Sequence, residues 1–123
     1  MNEQIFKERS RNLGLRVIEL VEGLTKSATT DVISRQLLRS ATSIGANYRA
    51  ACRGRSTADV MAKLAIVEEE ADESIYWLEL LIESGAVAAD QVKELINEAN
   101  EILAMTVASI KTLRARRGAV PRP

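Results

Sequence analysis

Residues 56–85 read "STADVMAKLAIVEEEADESIYWLELLIESG", and the spacing of their apolar side chains decides the fold. Val60, Leu64, Val67, Ala71, Ile75, Leu78 and Ile82 recur every three or four positions, the period of one face of an α-helix and not of a strand. Ser56 followed by Asp59 fits a capping box loosely, with Asp in place of the usual Glu or Gln, and marks the start. Gly85 marks the end, so a helix is predicted to about Ser84.

The same period runs outward on both sides. Ile33, Leu37, Ala41, Ile44 and Tyr48 predict a helix over about 31–53, capped by Thr29 or Thr30 and stopped by Gly54, a residue that tolerates a left-handed terminus. Phe6, Leu13, Val17, Leu20 and Leu24 predict an earlier one over about 3–25. Val92, Leu95, Ile96, Ala99, Leu103, Thr106, Ile110 and Leu113 predict a last one over about 89–116. Short connections between four amphipathic helices give an all-α, antiparallel up-down-up-down four-helix bundle as one domain, 1–116. The basic, proline-containing residues 117–123 are expected to be a disordered tail.

Composition agrees with this reading. Apolar residues make up 46% of the 123 positions, yet only Phe6, Tyr48, Tyr76 and Trp77 are aromatic, so the core must be Leu, Ile, Val and Ala, which suits helices better than a sandwich. No apolar run approaches the roughly 20 residues of a membrane span, and "MNEQIFKERSR" is no signal peptide, so a cytoplasmic protein without membrane contact is expected. The lone Cys52 has no partner for an internal disulfide and is expected to serve packing.

Catalytic and metal chemistry lack their usual residues. The absence of histidine removes Ser-His-Asp triads, Cys-His pairs and the Glu-x-x-His ligands of di-iron bundles. Glu68 to Glu73 point around the whole helix instead of converging on a cation, and "RGRS" is too short and lacks the lysine of a phosphate loop. No catalytic residue, metal site or cofactor is assigned.

Charge is where function is legible. Formal net charge is zero, but residues 32–67 hold six bases against Asp59 alone, and residues 68–90 hold eight acids and no base. Arg35, Arg39, Arg49 and Arg53 fall within about an 80° arc of the second helix, and Arg55 follows in the loop. The third helix carries a second apolar set, Ala62, Ile66, Tyr76, Trp77 and Leu80, behind its core stripe. A helix apolar on two sides asks to be covered on both, which points to a neighbouring subunit. Leu15 and Ile18 of the first helix point the same way.

Residues 36–85 resemble the four-helix-bundle family encoded in intervening sequences of 23S ribosomal RNA genes. The resemblance rests on Gln36, Leu37, Arg39, Ser40 and Ala41, then Ser43-Ile44-x-Ala46-Asn47, Arg55-Ser56, the Glu-rich helix and the Gly85 turn, and extends from Phe6 to about Arg114. Many members carry proline where this chain has Gly45, so a less bent helix is expected here. The resemblance implies a homopentameric bundle without agreed enzymatic activity, similar also to accessory proteins of diversity-generating retroelements that engage nucleic acid. Two functions follow. In one, Arg35, Arg39, Arg49, Arg53 and Arg55, together with the arginines of the basic tail, bind RNA or another nucleic acid weakly, since guanidinium forks fit phosphate. In the other, the arginines meet acids of a neighbouring subunit in a purely structural assembly, with Ile66, Glu69, Glu73, Tyr76, Trp77 and Leu80 at the interface.

Overall fold

The computed structural model describes residues 2–119, and these form four helices: α1 (Glu3–Glu22), α2 (Ala28–Cys52), α3 (Thr57–Glu83) and α4 (Ala89–Ala119). Among the described residues there is no strand. Each helix packs beside two others in the cyclic order α1, α2, α3, α4, the arrangement of a four-helix bundle.

The starts are set by side chains that accept otherwise unpaired N–H groups. Asn2 Oδ1 accepts from Ile5 N–H at 2.8 Å. Ser27, not Thr29 or Thr30, caps α2, its Oγ accepting from Thr30 N–H at 3.1 Å, so α2 begins three residues earlier than its apolar pattern indicates. Ser56 caps α3 through Asp59 N–H at 3.1 Å, and the Asp59 carboxylate accepts from Arg55 N–H at 3.2 Å, one residue before the cap position that a capping-box Glu reaches. α4 runs through Arg117 to Ala119, so the first part of the expected tail is helical, while residues 120–123 lie outside the described residues.

The corners use glycine for two different reasons. Gly85 has φ +81°, and the N–H groups of Ala86 and Val87 both donate to the Leu81 carbonyl, at 3.0 and 3.2 Å, closing α3 in a left-handed turn. Gly54, expected to play the same part, does not have positive φ. It is required because a Cβ there would stand 2.5 Å from Val60 Cγ2 and 3.0 Å from the Ala51 carbonyl oxygen. The chain turns from α2 into α3 through a space too small for a side chain.

The main core joins all four helices through Phe6, Leu13, Val17, Leu37, Ala41, Ile44, Val67, Ala71, Leu78, Val92, Ala99 and Ile102. The Phe6 and Tyr48 rings stack at 3.9 Å between centroids and 15° between planes. Ser40 and Ser74 bring α2 and α3 together with their hydroxyl oxygens 3.1 Å apart, and each also bonds a carbonyl of its own helix, Leu37 and Glu70 respectively. A smaller second core, Ala51, Leu64 and Ile110, ties the last turns of α2 to the start of α3 and the later part of α4.

The buried arcs are wider than the stripes read from sequence. Leu81 and Ile102, outside those stripes, are fully buried. Trp77 and Leu80, expected to face away from the chain's own core, are half-buried against it. A helix at the corner of a bundle touches two neighbours, and its apolar face broadens accordingly.

Candidate nucleic-acid interface

The arginines that lie on one arc of α2 have four different surroundings. Arg39 turns toward α3: its Nη1 donates to Glu70 at 3.0 Å and its Nη2 to Glu73, while Glu73 Oε1 also accepts from Trp77 Nε1–H at 3.1 Å. Burial pushes the Glu73 carboxyl up, but the bonds from Trp77 and Arg39 outweigh it and hold the group below the usual glutamate range. Arg39, expected on the phosphate-binding face, and Glu73, expected at a subunit contact, thus face each other within the chain, across α2 and α3.

Arg49 stands on the rim of an open groove between α1 and α2, of about 650 Å³, lined by Lys7, Ser10, Arg11, Gly14, Leu15, Ile18, Thr42, Gly45 and Ala46 among others. Arg53 and Arg55 are exposed where α2 turns into α3, and Arg35 is exposed nearer the start of α2. Among the described residues none of Arg35, Arg49, Arg53 and Arg55 forms an ion pair with a carboxylate.

Arg53 and Arg55 are not isolated. The smaller core and a second groove of about 640 Å³ bring Tyr48, Ala51, Cys52, Val60 and Leu64 together with Thr112, Leu113 and Arg116 of α4 and Glu3 of α1. The segments meeting there, 3–11, 46–67 and 105–117, hold eleven bases and only three acids, Glu3, Glu8 and Asp59. The other described segments, 12–45 and 68–104, hold five bases and fourteen acids. The bundle therefore has a basic end, to which Lys111, Arg114, Arg116 and Arg117 contribute as well as the loop arginines. Lys111 and Arg114 carry no signal in the sequence alone, because they lie more than fifty positions from Arg55 and only folding makes them neighbours of the loop, whereas Arg116 and Arg117 stand where the basic tail, expected to bind nucleic acid, begins.

Of the residues expected at an oligomer interface, Glu69 and Tyr76 are exposed and Ile66, Trp77 and Leu80 are half-buried. Tyr76 is 53% exposed and meets Trp77 edge-on at 5.0 Å. Leu15 and Ile18 are exposed, at 53% and 39%.

One ion pair that periodicity could not reveal joins α1 to α4. Arg9 Nε and Nη2 donate to the two oxygens of Glu98 at 2.9 and 2.5 Å, and Glu101 lies 3.3 Å from Nη2. The hydrogen bonds from Arg9 hold the Glu98 carboxyl below its usual range. A carboxylate whose pKa is lowered by folding stabilises the native state above the unfolded pKa, and that contribution is lost as pH falls through the folded value. Urea midpoints should therefore fall with acidification below about pH 4.5. Arg9→Gln should flatten that dependence and lower stability at neutral pH by about 1 kcal/mol, discounted for partial exposure. Equal acid sensitivity in the variant would rule the pair out as its source.

Other chemistry finds little to build on. Burial pushes the Cys52 thiol up, away from the thiolate a nucleophile needs. Among the described residues no three His, Cys, Asp or Glu side chains are grouped to hold a metal ion, and no helix is long and apolar enough to cross a membrane.

A sequence profile of the 23S rRNA-intervening sequence proteins matches residues 2–108. The fold is similar to the crystal structure of a protein of unknown function from the S23 ribosomal protein family of Bacteroides thetaiotaomicron VPI-5482, with a TM-score of 0.84 and 38% identity over 90% of this chain and 99% of that one. No curated protein matches the sequence.

Proposed function

The chain belongs to the 23S rRNA-intervening sequence protein family, and from that premise we propose that it is a non-enzymatic, self-associating helical bundle that binds RNA weakly through its basic end. The observation that carries the reading is the gathering of Arg53, Arg55, Lys111, Arg114, Arg116 and Arg117 at one end of a chain whose net charge is zero. Such a patch attracts phosphate whatever the total charge, because screening confines each charge to about 8–10 Å at physiological salt. Tyr48 is stacked on Phe6 and Trp77 is held by Glu73, so these rings are not free to stack on bases. Binding through phosphate alone is indifferent to sequence.

The cross-helix contacts support an antiparallel, up-down-up-down course: Gly14 lies against Thr42 and Gly45 against Ser10 and Arg11, and Ser40 meets Ser74 while Arg39 meets Glu70. The assembly implied by the family resemblance is a homopentamer.

The test is the triple replacement Arg53→Gln, Arg55→Gln and Arg116→Gln, followed by RNA retention at a series of salt concentrations. Each phosphate contact removed lowers the slope of log affinity against log salt by about 0.7–0.9, so the slope should fall by about 2–3 while oligomer mass stays the same. Unchanged slope and affinity would sink the RNA reading.

The alternative, purely structural use of the arginines has its own support in the acids left free on α3. Glu69, Asp72, Glu79 and Glu83 are exposed and, among the described residues, form no ion pair. In this reading the same arginines meet those acids across a subunit contact, so their replacement would break the assembly, whereas lost RNA retention at unchanged mass supports binding.

A further inference from the structure

Two exposed surfaces of the bundle match in length, charge and relief. On α2, Arg35 and Arg49 stand fourteen residues apart with Thr42 midway, about 21 Å at 1.5 Å per residue. Thr42 belongs to the floor of the α1–α2 groove, where small residues let the helices approach closely: a Cβ on Gly14 would lie 3.8 Å from Thr42, and one on Gly45 would lie 3.6 Å from Ser10 Oγ. Leu15 and Ile18 form an exposed apolar wall. The result is a shallow, partly apolar trough with Lys7, Arg11 and Arg49 beside a single acid, Glu8, and Arg35 lies farther along the same face of α2, outside the trough's lining.

On α3, Glu69 and Glu83 are also fourteen residues apart, with Tyr76 midway. All three are exposed, as are Asp72 and Glu79, which flank Tyr76 four residues before and three after it on the same face. This is an acidic ridge with one protruding aromatic ring at its centre. The chain's own trough lies between α1 and α2, so its own α3 ridge cannot fill it.

We propose that the α3 ridge of one copy docks in the α1–α2 groove of a second copy, Tyr76 resting on the small-residue floor and Glu69 and Glu83 meeting the two arginines. The proposal rests on the self-association put forward above and identifies the surfaces that make it. A partner with this chemistry is present wherever the chain itself is. The groove, of about 650 Å³, is large enough to receive the tyrosine ring. Each copy offers one ridge and one groove, so the contact is head-to-tail and generates a closed ring if the rotation between copies closes. Arg53, Arg55, Lys111, Arg114, Arg116 and Arg117, which carry the RNA reading, do not line this groove and are left open to phosphate.

Charge reversal tests the docking directly, because like charges brought together across an interface oppose association. One variant carries Arg35→Glu and Arg49→Glu, the other Glu69→Arg and Glu83→Arg. All four positions are exposed, and circular dichroism verifies that both variants retain the helical fold. By light scattering at micromolar concentration the wild type should exceed the 13.5 kDa of one chain, and each variant alone should return to that mass. An equimolar mixture should associate again to a mass above that of one chain, since each reversed groove then accepts a reversed ridge, although a closed ring of five cannot alternate the two variants throughout. Tyr76→Ala should weaken association at least tenfold while the far-UV circular dichroism of the helical fold stays the same. A variant that keeps the wild-type mass, or a mixture that stays monomeric, would overturn this docking while leaving self-association standing. A wild type of 13.5 kDa would overturn both.

Discussion

Replacing Phe6 by alanine is expected to lower the unfolding free energy by about 3–5 kcal/mol, the range for removing a buried phenyl group from a close-packed interior. Phe6 is almost completely buried, and its ring is the partner on which Tyr48 stacks. The void would open between the first turns of α1 and the last turns of α2, where Gly14 and Gly45, farther along, supply backbone proximity but no side chain to fill it. Small domains are stable by only about 5–15 kcal/mol, so the loss is a large share of the whole. Equilibrium urea unfolding measures it. A loss below about 1 kcal/mol would mean that Tyr48 and its neighbours collapse into the space, and that the stacked pair is not the anchor of α1.

Leu64→Ala is expected to cost about 2–5 kcal/mol, and to do so locally. Leu64 belongs to the smaller core with Ala51 and Ile110, which has few other members and borders the groove at the basic end. Amide exchange should lose protection at the α2–α3 corner and in the later turns of α4, while amides around Leu37, Val67 and Ala99 keep theirs. The change removes no charge, but it loosens the scaffold that holds Arg53, Arg55 and Arg116 together, so RNA retention should fall with it. Uniform loss of protection across all four helices would show instead that the two cores unfold as one.

The four helices were legible in the sequence because apolar period and capping residues act within a few positions of one another. Ser56 and Asp59 start α3 through bonds that stay local, and Gly85 ends it in the conformation that its lack of a side chain permits. Harder to read were features set by a second helix. Trp77, Leu80, Leu81 and Ile102 join the buried surface because each helix has two neighbours, which a single stripe does not encode. Thr29 and Thr30 read as caps on chemistry alone, yet both lie within α2, and the Thr30 N–H is itself the group that Ser27 accepts from. Gly54 reads as a left-handed stop, yet its requirement comes from Val60, six residues on.

The charge pattern of the candidate site is legible in the sequence, and the surroundings of each charge are not. Four arginines on one arc of α2 look equivalent along a helical wheel, but Glu70 and Glu73 lie more than thirty residues from Arg39 and claim it alone. The α4 bases reach the same end as Arg53 and Arg55 because α4 is long enough to return to the α2–α3 corner, a matter of helix length and direction. Charge blocks along a chain become surfaces only after the turns decide which blocks face the same way.

The separation of bases and acids into opposite parts of the bundle also governs how the protein behaves as a solute. Its isoelectric point near 6.3 suggests an electrically featureless particle, whereas the fold makes it a strong permanent dipole. Near that pH and at low ionic strength, the basic end of one particle attracts the acidic part of another, and solubility should be lowest there. Modest salt screens the attraction over a Debye length and dissolves the protein instead of precipitating it. The same particle can adsorb to both cation and anion exchangers at a single pH, each resin selecting the end it opposes.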